Sequence, residues 1–221
     1  MIAAIALKEF RNLFAMPSTW VILGVLQCIF SWFFLARIDA FLQVQSQLAQ
    51  IANAPGATLA VATPLFGTVA LIMMMLVPVF TMRMLAEEKR NQTLALLMSS
   101  PVSDYQIVIG KFFGLMLFLW LIITGCTLMT ASLAAGTHLD TGLLFSNMLG
   151  LFLLTAAYGS LGLYISSLTS HPLVAAITSM ALLFGLWLLE FSTLDNAHAL
   201  HALAPTSHFT NLNVGLVNST D

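Results

Sequence analysis

Five long apolar segments alternate with shorter polar ones along the chain. Each is close to the roughly 20 residues that a helix needs to cross a bilayer, and none contains Asp, Glu, Lys or Arg. The pattern predicts an all-α integral membrane protein with a single transmembrane domain over residues 1–221. Its five spans are expected at residues 19–36, 64–82, 112–135, 144–168 and 173–189.

The composition supports this assignment. Of the 221 residues, 59% are hydrophobic and 7% are charged, whereas soluble domains carry about 25% charged residues. The net charge is −2 and no basic patch occurs, so nucleic acid is not a predicted partner. The central parts of the spans also lack the ionisable groups that ion-driven transporters need in the bilayer. Energy for any transport is therefore expected to arrive from outside the spans.

The first 18 residues predict an amphipathic helix ahead of the first span. On a helical wheel Lys8 and Arg11 lie on one side, with Ala6 and Phe10 opposite them. Such a helix lies flat at the membrane surface, with its cations towards the headgroups. Glu9 falls near the apolar edge and fits this pattern poorly. A plain end of the first span is the alternative interpretation.

Residues 83–111 form a polar segment between the second and third spans, and they hold seven of the sixteen Asp, Glu, Lys and Arg residues. Two short helices are predicted here, separated by Pro101. Ser103 and Gln106 have the spacing of a capping box, from which the second helix runs into the third span. Leu94 and Leu97 share a face of the first helix and would be exposed without a partner. An ordinary solvated loop is the alternative.

One motif in this segment combines a charge order, a Thr-Leu helix start, a Pro break and a Gly-Lys pair at fixed spacing: Ala86-Glu87-Glu88-Lys89-Arg90-x-x-Thr93-Leu94-x-Leu96-Leu97-x-x-x-Pro101-Val102-Ser103-x-x-Gln106-Ile107-x-x-Gly110-Lys111. It resembles the cytoplasmic loop of ABC-2 type transporter permeases, and the gliding-motility type most closely. Two positions depart from the family pattern, since Gln92 stands where Gly is usual and Ala95 where Glu is usual.

In that family the loop is the coupling helix, which docks into a groove on a separate ATP-hydrolysing subunit. The resemblance implies that ATP and Mg are held by that ATPase and that this chain has no cofactor of its own. It assigns the contact with the ATPase to eight residues, namely Glu87, Glu88, Arg90, Thr93, Leu94, Leu97, Pro101 and Asp104.

The segment after the fifth span, residues 190–221, is too broken to cross a bilayer and too apolar for a free tail. In the resembling family this region forms short re-entrant helices on the outer side, followed by a sixth span, which is not predicted within these residues. Small residues at Gly159 and Gly162 predict close packing of the fourth span. Gly110 and Gly114 open the third span in a similar way.

No catalytic site or metal site is predicted. Gly110 and Lys111 are followed by Phe112 rather than by the Ser or Thr of a Walker A loop, so the chain is expected not to be an enzyme. Cys28 and Cys126 lie in apolar runs and are interpreted as buried thiols without a disulfide. Four residues offer metal-ligand types, but interfacial polar side chains are the preferred interpretation: Asp195, His198, His201 and His208.

The Lys and Arg residues predict the orientation. With the N-terminus in the cytoplasm only Arg37 lies outside, and six lie inside: Lys8, Arg11, Arg83, Lys89, Arg90 and Lys111. The predicted function is the permease subunit of an ATP-driven exporter in the inner (plasma) membrane. Its expected partners are an ABC-type ATPase, a second permease copy or a related chain, and membrane lipid. The alternative is a non-transporting membrane scaffold or assembly factor that recruits a cytoplasmic partner.

Overall fold

The computed structural model describes residues 1–48, 56–92, 103–136, 139–189 and 205–215, and within them every regular element is helical. The α-helices are α1 Ile2–Ala15, α2 Pro17–Leu48, α3 Ala57–Met84, α4 Ala86–Arg90, α5 Asp104–Ala131, α6 Thr141–Leu168, α7 Pro172–Leu189 and α8 Pro205–Asn213; a 3-10 helix, Ser132–Ala135, follows α5.

Five of these helices, α2, α3, α5, α6 and α7, are long and apolar enough to cross a membrane. The predicted all-α integral membrane fold with five spans is therefore confirmed. Two helices extend well beyond the predicted spans through segments that contain polar residues, since α2 continues to Leu48 and α5 begins at Asp104. The longest, α2, has 32 residues, which at 1.5 Å per residue is about 48 Å and exceeds the roughly 30 Å hydrocarbon core.

The apolar core lies between α3, α5 and α6, where Phe66, Phe118 and Leu151 are fully buried. Helices α2 and α7 pack on the outside of this trio and each buries a narrow face, for example Phe30 of α2 and Leu183 of α7. Cys126 of α5 is buried as predicted, but Cys28 lies on the exposed face of α2, so the prediction of a buried Cys28 is wrong. Periodicity could not assign it because α2 is apolar all round.

Glycines of α6 allow the close packing that was predicted for the fourth span. A Cβ atom on Gly162 would collide with Oγ1 of Thr81 on α3, and one on Gly159 would lie 3.1 Å from Cε of Met116 on α5. Thr81 is itself fully buried. Because the backbone of α6 can approach both neighbours only where a side chain is missing, these two positions hold the central trio together.

The starts of α5 and α6 differ from the sequence expectation in one respect. Helix α5 begins at Asp104 as predicted, but the side chain of Ser103 makes no capping hydrogen bond, so the predicted capping box does not form. A capping bond does occur at α6, where Oδ1 of Asp140 accepts hydrogen bonds from the backbone N–H groups of Gly142 (3.0 Å) and Leu143 (3.1 Å). Asp140 thereby satisfies two of the donors left open at that helix end.

The up-and-down order of the spans gives the bundle two ends. The α1 end carries α1, α4 and the short connection between α6 and α7. The α8 end carries the start of α3, the start of α6 and the short helix α8.

Candidate functional site

A buried ion-pair cluster lies at the α1 end, where Nζ of Lys111 on α5 contacts two carboxylates. One is Glu9 of α1, with 3.0 Å between Nζ and Oε1, and the other is Glu88 of α4, with 2.7 Å between Nζ and Oε1. Side-chain exposure is 1% for Lys111, 11% for Glu9 and 21% for Glu88. We call these three residues the Lys111 cluster. Burying a charged side chain is costly unless it is paired. Because the three members come from α1, α4 and α5, the cluster ties three separate helices together.

Helix α1 reaches the cluster because α5 presents two glycines to it. A Cβ atom on Gly110 would lie 2.7 Å from Cβ of Ile5, and one on Gly114 would lie 2.9 Å from the backbone oxygen of Ala6. The predicted close packing at this glycine pair is confirmed, and its partner is α1. The amphipathic helix α1 is also present, with Lys8 and Arg11 exposed and Ala6 buried.

Glu9 explains the irregularity in the amphipathic pattern of α1. It lies on the buried side of the helix, three residues after Ala6, because its carboxylate is the partner of Lys111. The sequence assigned no partner to Glu9 or Lys111. The available signal was an acidic residue at the apolar edge of a surface helix together with a lysine inside an apolar one, and neither alone identifies the other as its partner.

Helix α4 is anchored to the end of α6 as well. The backbone N–H of Ala86 donates to Oγ of Ser166 (3.1 Å), which in turn donates to the carbonyl of Met82 (3.3 Å). Nζ of Lys89 donates to the carbonyl of Ser167. Ala86 is fully buried in a small apolar contact with Ile165 and Ala175. Three helices, α3, α4 and α6, therefore meet at Ser166.

The end of α4 has a backbone geometry that matches the departure from the family pattern noted above. Gln92 has a φ of +56°, in the left-handed region where glycine is favoured and an L side chain is strained. Its N–H donates to the carbonyl of Lys89 at 3.2 Å, as expected for a residue that ends a helix in this way. The position therefore needs the conformation that Gly adopts most easily, although Gln occupies it.

The eight residues assigned to ATPase contact fall into two groups. Glu87, Glu88, Arg90 and Asp104 lie in the described part: Glu88 joins the Lys111 cluster, Glu87 is half-buried on α4, and Arg90 and Asp104 are exposed. The other four lie outside the described residues, namely Thr93, Leu94, Leu97 and Pro101. Their contact with an ATPase stays a prediction.

At the α8 end, polar side chains of the spans donate hydrogen bonds to the C-terminal carbonyl groups of α8. Oγ of Ser146 donates to the carbonyl of Leu212 (2.7 Å), and Oγ1 of Thr63 donates to the carbonyl of Asn213 (3.1 Å). Nδ2 of Asn213 donates back to the carbonyl of Thr63 (2.9 Å). Asn147, fully buried, donates to the same Asn213 carbonyl (2.8 Å) when its amide is oriented to satisfy its neighbours. These bonds fix α8 against α3 and α6.

Helix α8 lies within residues 190–221, and its nine residues are too few to cross a bilayer. That this segment is re-entrant and on the outer side stays a prediction. It packs on Gly150 of α6, where a Cβ atom would lie 3.0 Å from Cβ of Leu212. Asp195, His198 and His201 lie outside the described residues, while His208 lies on α8.

Comparison with known proteins identifies one family. The family model described as "ABC-2 family transporter protein" matches residues 3–221. The match identifies the family but not the gliding-motility type within it, so that subtype stays a prediction. None of the curated proteins compared with the chain matches it. The match covers almost the whole chain, and the described residues have the multi-spanning helical fold that the resemblance implied. The chain belongs to the ABC-2 transporter family.

Proposed function

We propose that this chain is the permease subunit of an ATP-driven exporter, and that residues 83–111 couple it to a separate ATPase subunit. The observation that carries the proposal is the attachment of α4. This helix follows α3 after one residue, contacts α5 and α1 through the Lys111 cluster, and contacts α6 through Ser166 and Ser167. A force applied to this segment would reach four other helices at once.

The way in which force spreads follows from the physical character of these contacts. A buried ion pair cannot separate without leaving an uncompensated charge, so its members move together. Glycine contacts between backbones are equally unyielding, because no flexible side chain lies between them. Closure of the ATPases on ATP would therefore shift α1, α4 and the α1 end of α5 as one unit, and would tilt α6 with them.

In the proposed orientation the protein spans the plasma membrane with its α1 end in the cytoplasm. Of the six cations predicted to be inside, the structure buries only Lys111, and the other five are exposed at or near α1 and α4. Basic residues favour the cytoplasmic side, which is also where ATP is available. ATP and Mg would be bound by the partner ATPase.

A second copy of this chain, or a related chain, would complete the transport path. Within one copy, 17% of the most apolar stretch of α2 and 22% of that of α7 is buried. The corresponding share is 50–56% for α3, α5 and α6. Helices α2 and α7 are the least covered spans and the natural surfaces for a second permease and for lipid. The path would then run between the two copies.

The test is the double variant Leu94→Asp/Leu97→Asp in a cell that also expresses the partner ATPase. Burial of a leucine side chain in a partner groove contributes about 1.5–3 kcal/mol, so the variant should insert normally, fail to co-purify with the ATPase and lose stimulation of ATP hydrolysis. The matched control is Leu94→Met/Leu97→Met, which keeps the apolar volume and should retain both properties.

The scaffold alternative also predicts that the double aspartate variant loses its partner, so a second measurement is needed. A permease should change the rate of ATP hydrolysis by the bound ATPase, whereas a scaffold would bind without affecting that rate. If the wild-type complex forms but hydrolyses ATP no faster than the ATPase alone, and the aspartate variant behaves identically, the coupling role is excluded.

A further inference from the structure

A cavity of about 280 Å³ lies at the α1 end between α1, α2, α3 and α4. Its lining is polar on one side, where Asn12, Ser18 and Asn91 lie, and apolar on the other, where Ile22 and Phe80 lie. The polar residues come from the ends of their helices, and the apolar ones lie about a turn further into the spans. The cavity therefore changes from polar to apolar in the direction of the membrane interior, as a lipid does.

Five charged residues also line this cavity: Glu9, Arg83, Glu87, Glu88 and Lys111. Glu9, Glu88 and Lys111 already form the Lys111 cluster. That leaves Arg83 and Glu87, which are four residues apart, to face a ligand.

Neither of these two groups is paired within the described part of the chain. No carboxylate there lies within 4.0 Å of the Arg83 guanidinium, whose contact is Sδ of Met16, 3.9 Å from Nη1. The half-buried Glu87 has no ion pair in the same residues. A guanidinium is suited to phosphate oxygens, and a carboxylate is suited to an ammonium group.

We infer that this cavity binds a zwitterionic phospholipid that carries a primary amine, of the phosphatidylethanolamine type. The phosphate would lie at Arg83 and the ammonium group at Glu87. The parts of the acyl chains nearest the headgroup would lie along Ile22 and Phe80. The inference does not rest on the proposed transport function, because a lipid can occupy this site whether or not the chain moves a substrate.

The charges of the cavity select between lipid classes. Purely basic pockets favour anionic lipids, but here three carboxylates face two cations, one of which is engaged in the Lys111 cluster. A phosphatidylglycerol headgroup would bring a negative charge with no amine to offset Glu87. A phosphatidylcholine headgroup carries a positive charge but has no N–H to donate to that carboxylate. The primary amine satisfies both requirements.

The depth of the cavity fits a headgroup. Trp20, 59% exposed, lies two residues before Ile22 on α2, about 3 Å nearer the start of that helix, and its Nε1 donates to the carbonyl of Phe14 (2.9 Å) between α1 and α2. Tryptophan with its polar edge satisfied and its ring exposed is typical of the membrane–water interface. The cavity therefore lies at the level where phosphate and amine groups occur.

The experiment uses the full-length protein, purified in a mild detergent and depleted of lipid, with dioleoyl phosphatidylethanolamine, phosphatidylglycerol or phosphatidylcholine added back. Native mass spectrometry gives the bound fraction of each lipid. Phosphatidylethanolamine should bind about tenfold more tightly than either of the others, as expected for one additional charge-assisted hydrogen bond. Soluble glycerophosphoethanolamine should bind far more weakly, since it lacks the acyl chains for the apolar wall.

Two variants and a control locate the site. Arg83→Gln should weaken phosphatidylethanolamine binding about tenfold, and Glu87→Gln should abolish the preference over phosphatidylglycerol while keeping the phosphate contact. Arg11→Gln removes an exposed cation outside the cavity lining and should change nothing. Equal binding of all three lipids to the wild type, or equal effects of Arg83→Gln and Arg11→Gln, would overturn the inference. Size-exclusion profiles identify any variant that has failed to fold.

Discussion

A buried ammonium group beside two carboxylates is stable only while the partners remain together. In the Lys111 cluster the three side chains come from α1, α4 and α5, so each one holds its helix to the others. Removing a single partner from such a cluster leaves buried charge without compensation, whereas replacing the whole set with neutral groups is often tolerated. This asymmetry separates an ion pair that fixes structure from a surface pair that contributes little.

The first prediction concerns Lys111→Met, which keeps the unbranched apolar part of the side chain but removes the ammonium group and its charge. Two carboxylates then face each other in a site that is largely closed to water, and we expect a loss of about 3–5 kcal/mol of stability. The measurement is the apparent unfolding temperature of the purified protein in detergent. Lys8→Met is the matched control, because Lys8 is exposed on α1, and its unfolding temperature should stay near that of the wild type.

A triple variant makes the same prediction sharper. Lys111→Met combined with Glu9→Gln and Glu88→Gln removes every charge of the cluster and should recover most of the lost stability. If the triple variant is less stable than Lys111→Met alone, the damage comes from lost packing rather than from unpaired carboxylates, and the electrostatic account is wrong.

Single residues of this kind were only partly predictable from the sequence. The poor fit of Glu9 to its helical wheel was visible, but its cause was not, because Lys111 lies 102 positions further along the chain. Gln92 was visible as a departure from the family pattern, and the structure gives its left-handed backbone. The exposure of Cys28 was not predictable, since α2 has no polar face from which to infer its rotation.

Whole elements were easier to predict than residues, because hydrophobic length decides where a helix can cross a membrane. All five spans, the surface helix α1 and the continuous helix from Asp104 were expected. The partner of α1 was not, because a glycine pair indicates that some helix approaches closely without indicating which one. The hydrogen bonds that hold α8 were also not predicted. In the sequence Thr63, Ser146 and Asn147 cannot be told from ordinary polar residues near the ends of spans.

The second prediction tests the contact between α1 and α5. In Gly114→Ala the new methyl group would lie 2.8 Å from Cβ of Glu9 and 2.9 Å from the backbone oxygen of Ala6, so α1 must move away from α5. We expect a loss of about 1–3 kcal/mol, typical of overpacking, and faster amide hydrogen exchange within α1. Hydrogen-exchange mass spectrometry measures the second effect directly.

Gly24→Ala is the control for this variant, because a methyl group on Gly24 of α2 would have no neighbour within 4 Å. It should leave both stability and exchange in α1 unchanged, or raise stability slightly through better helix propensity. Unchanged exchange of α1 in Gly114→Ala would mean that the other contacts of α1 are enough to hold the helix, and the close approach at Gly114 would then be incidental.

At the scale of the whole molecule, the structure adds an argument to the distribution of cations. The six basic residues other than Arg37 come from four helices, α1, α3, α4 and α5, and all of them meet at the α1 end. Counting Lys and Arg along the sequence assigns each residue to one side of the membrane only after the spans have been placed. The packing of α1 against α5 and of α4 against α6 brings the same residues together without any assumption about the membrane.

The last prediction is the orientation that follows from this clustering, with the α1 end in the cytoplasm. In a background with Cys28→Ser and Cys126→Ala, a single cysteine is placed at Asn91 or at Gly136, both of which are exposed. Gly136 is preferable to Asp140 because Asp140 caps α6 and a methyl group on Gly136 meets nothing within 4 Å. A membrane-impermeant maleimide should label position 136 in intact cells and position 91 only after permeabilisation. Labelling of position 91 but not 136 in intact cells would put α4 outside, where no ATP-hydrolysing partner could reach residues 83–111, and would exclude the proposed coupling together with the orientation.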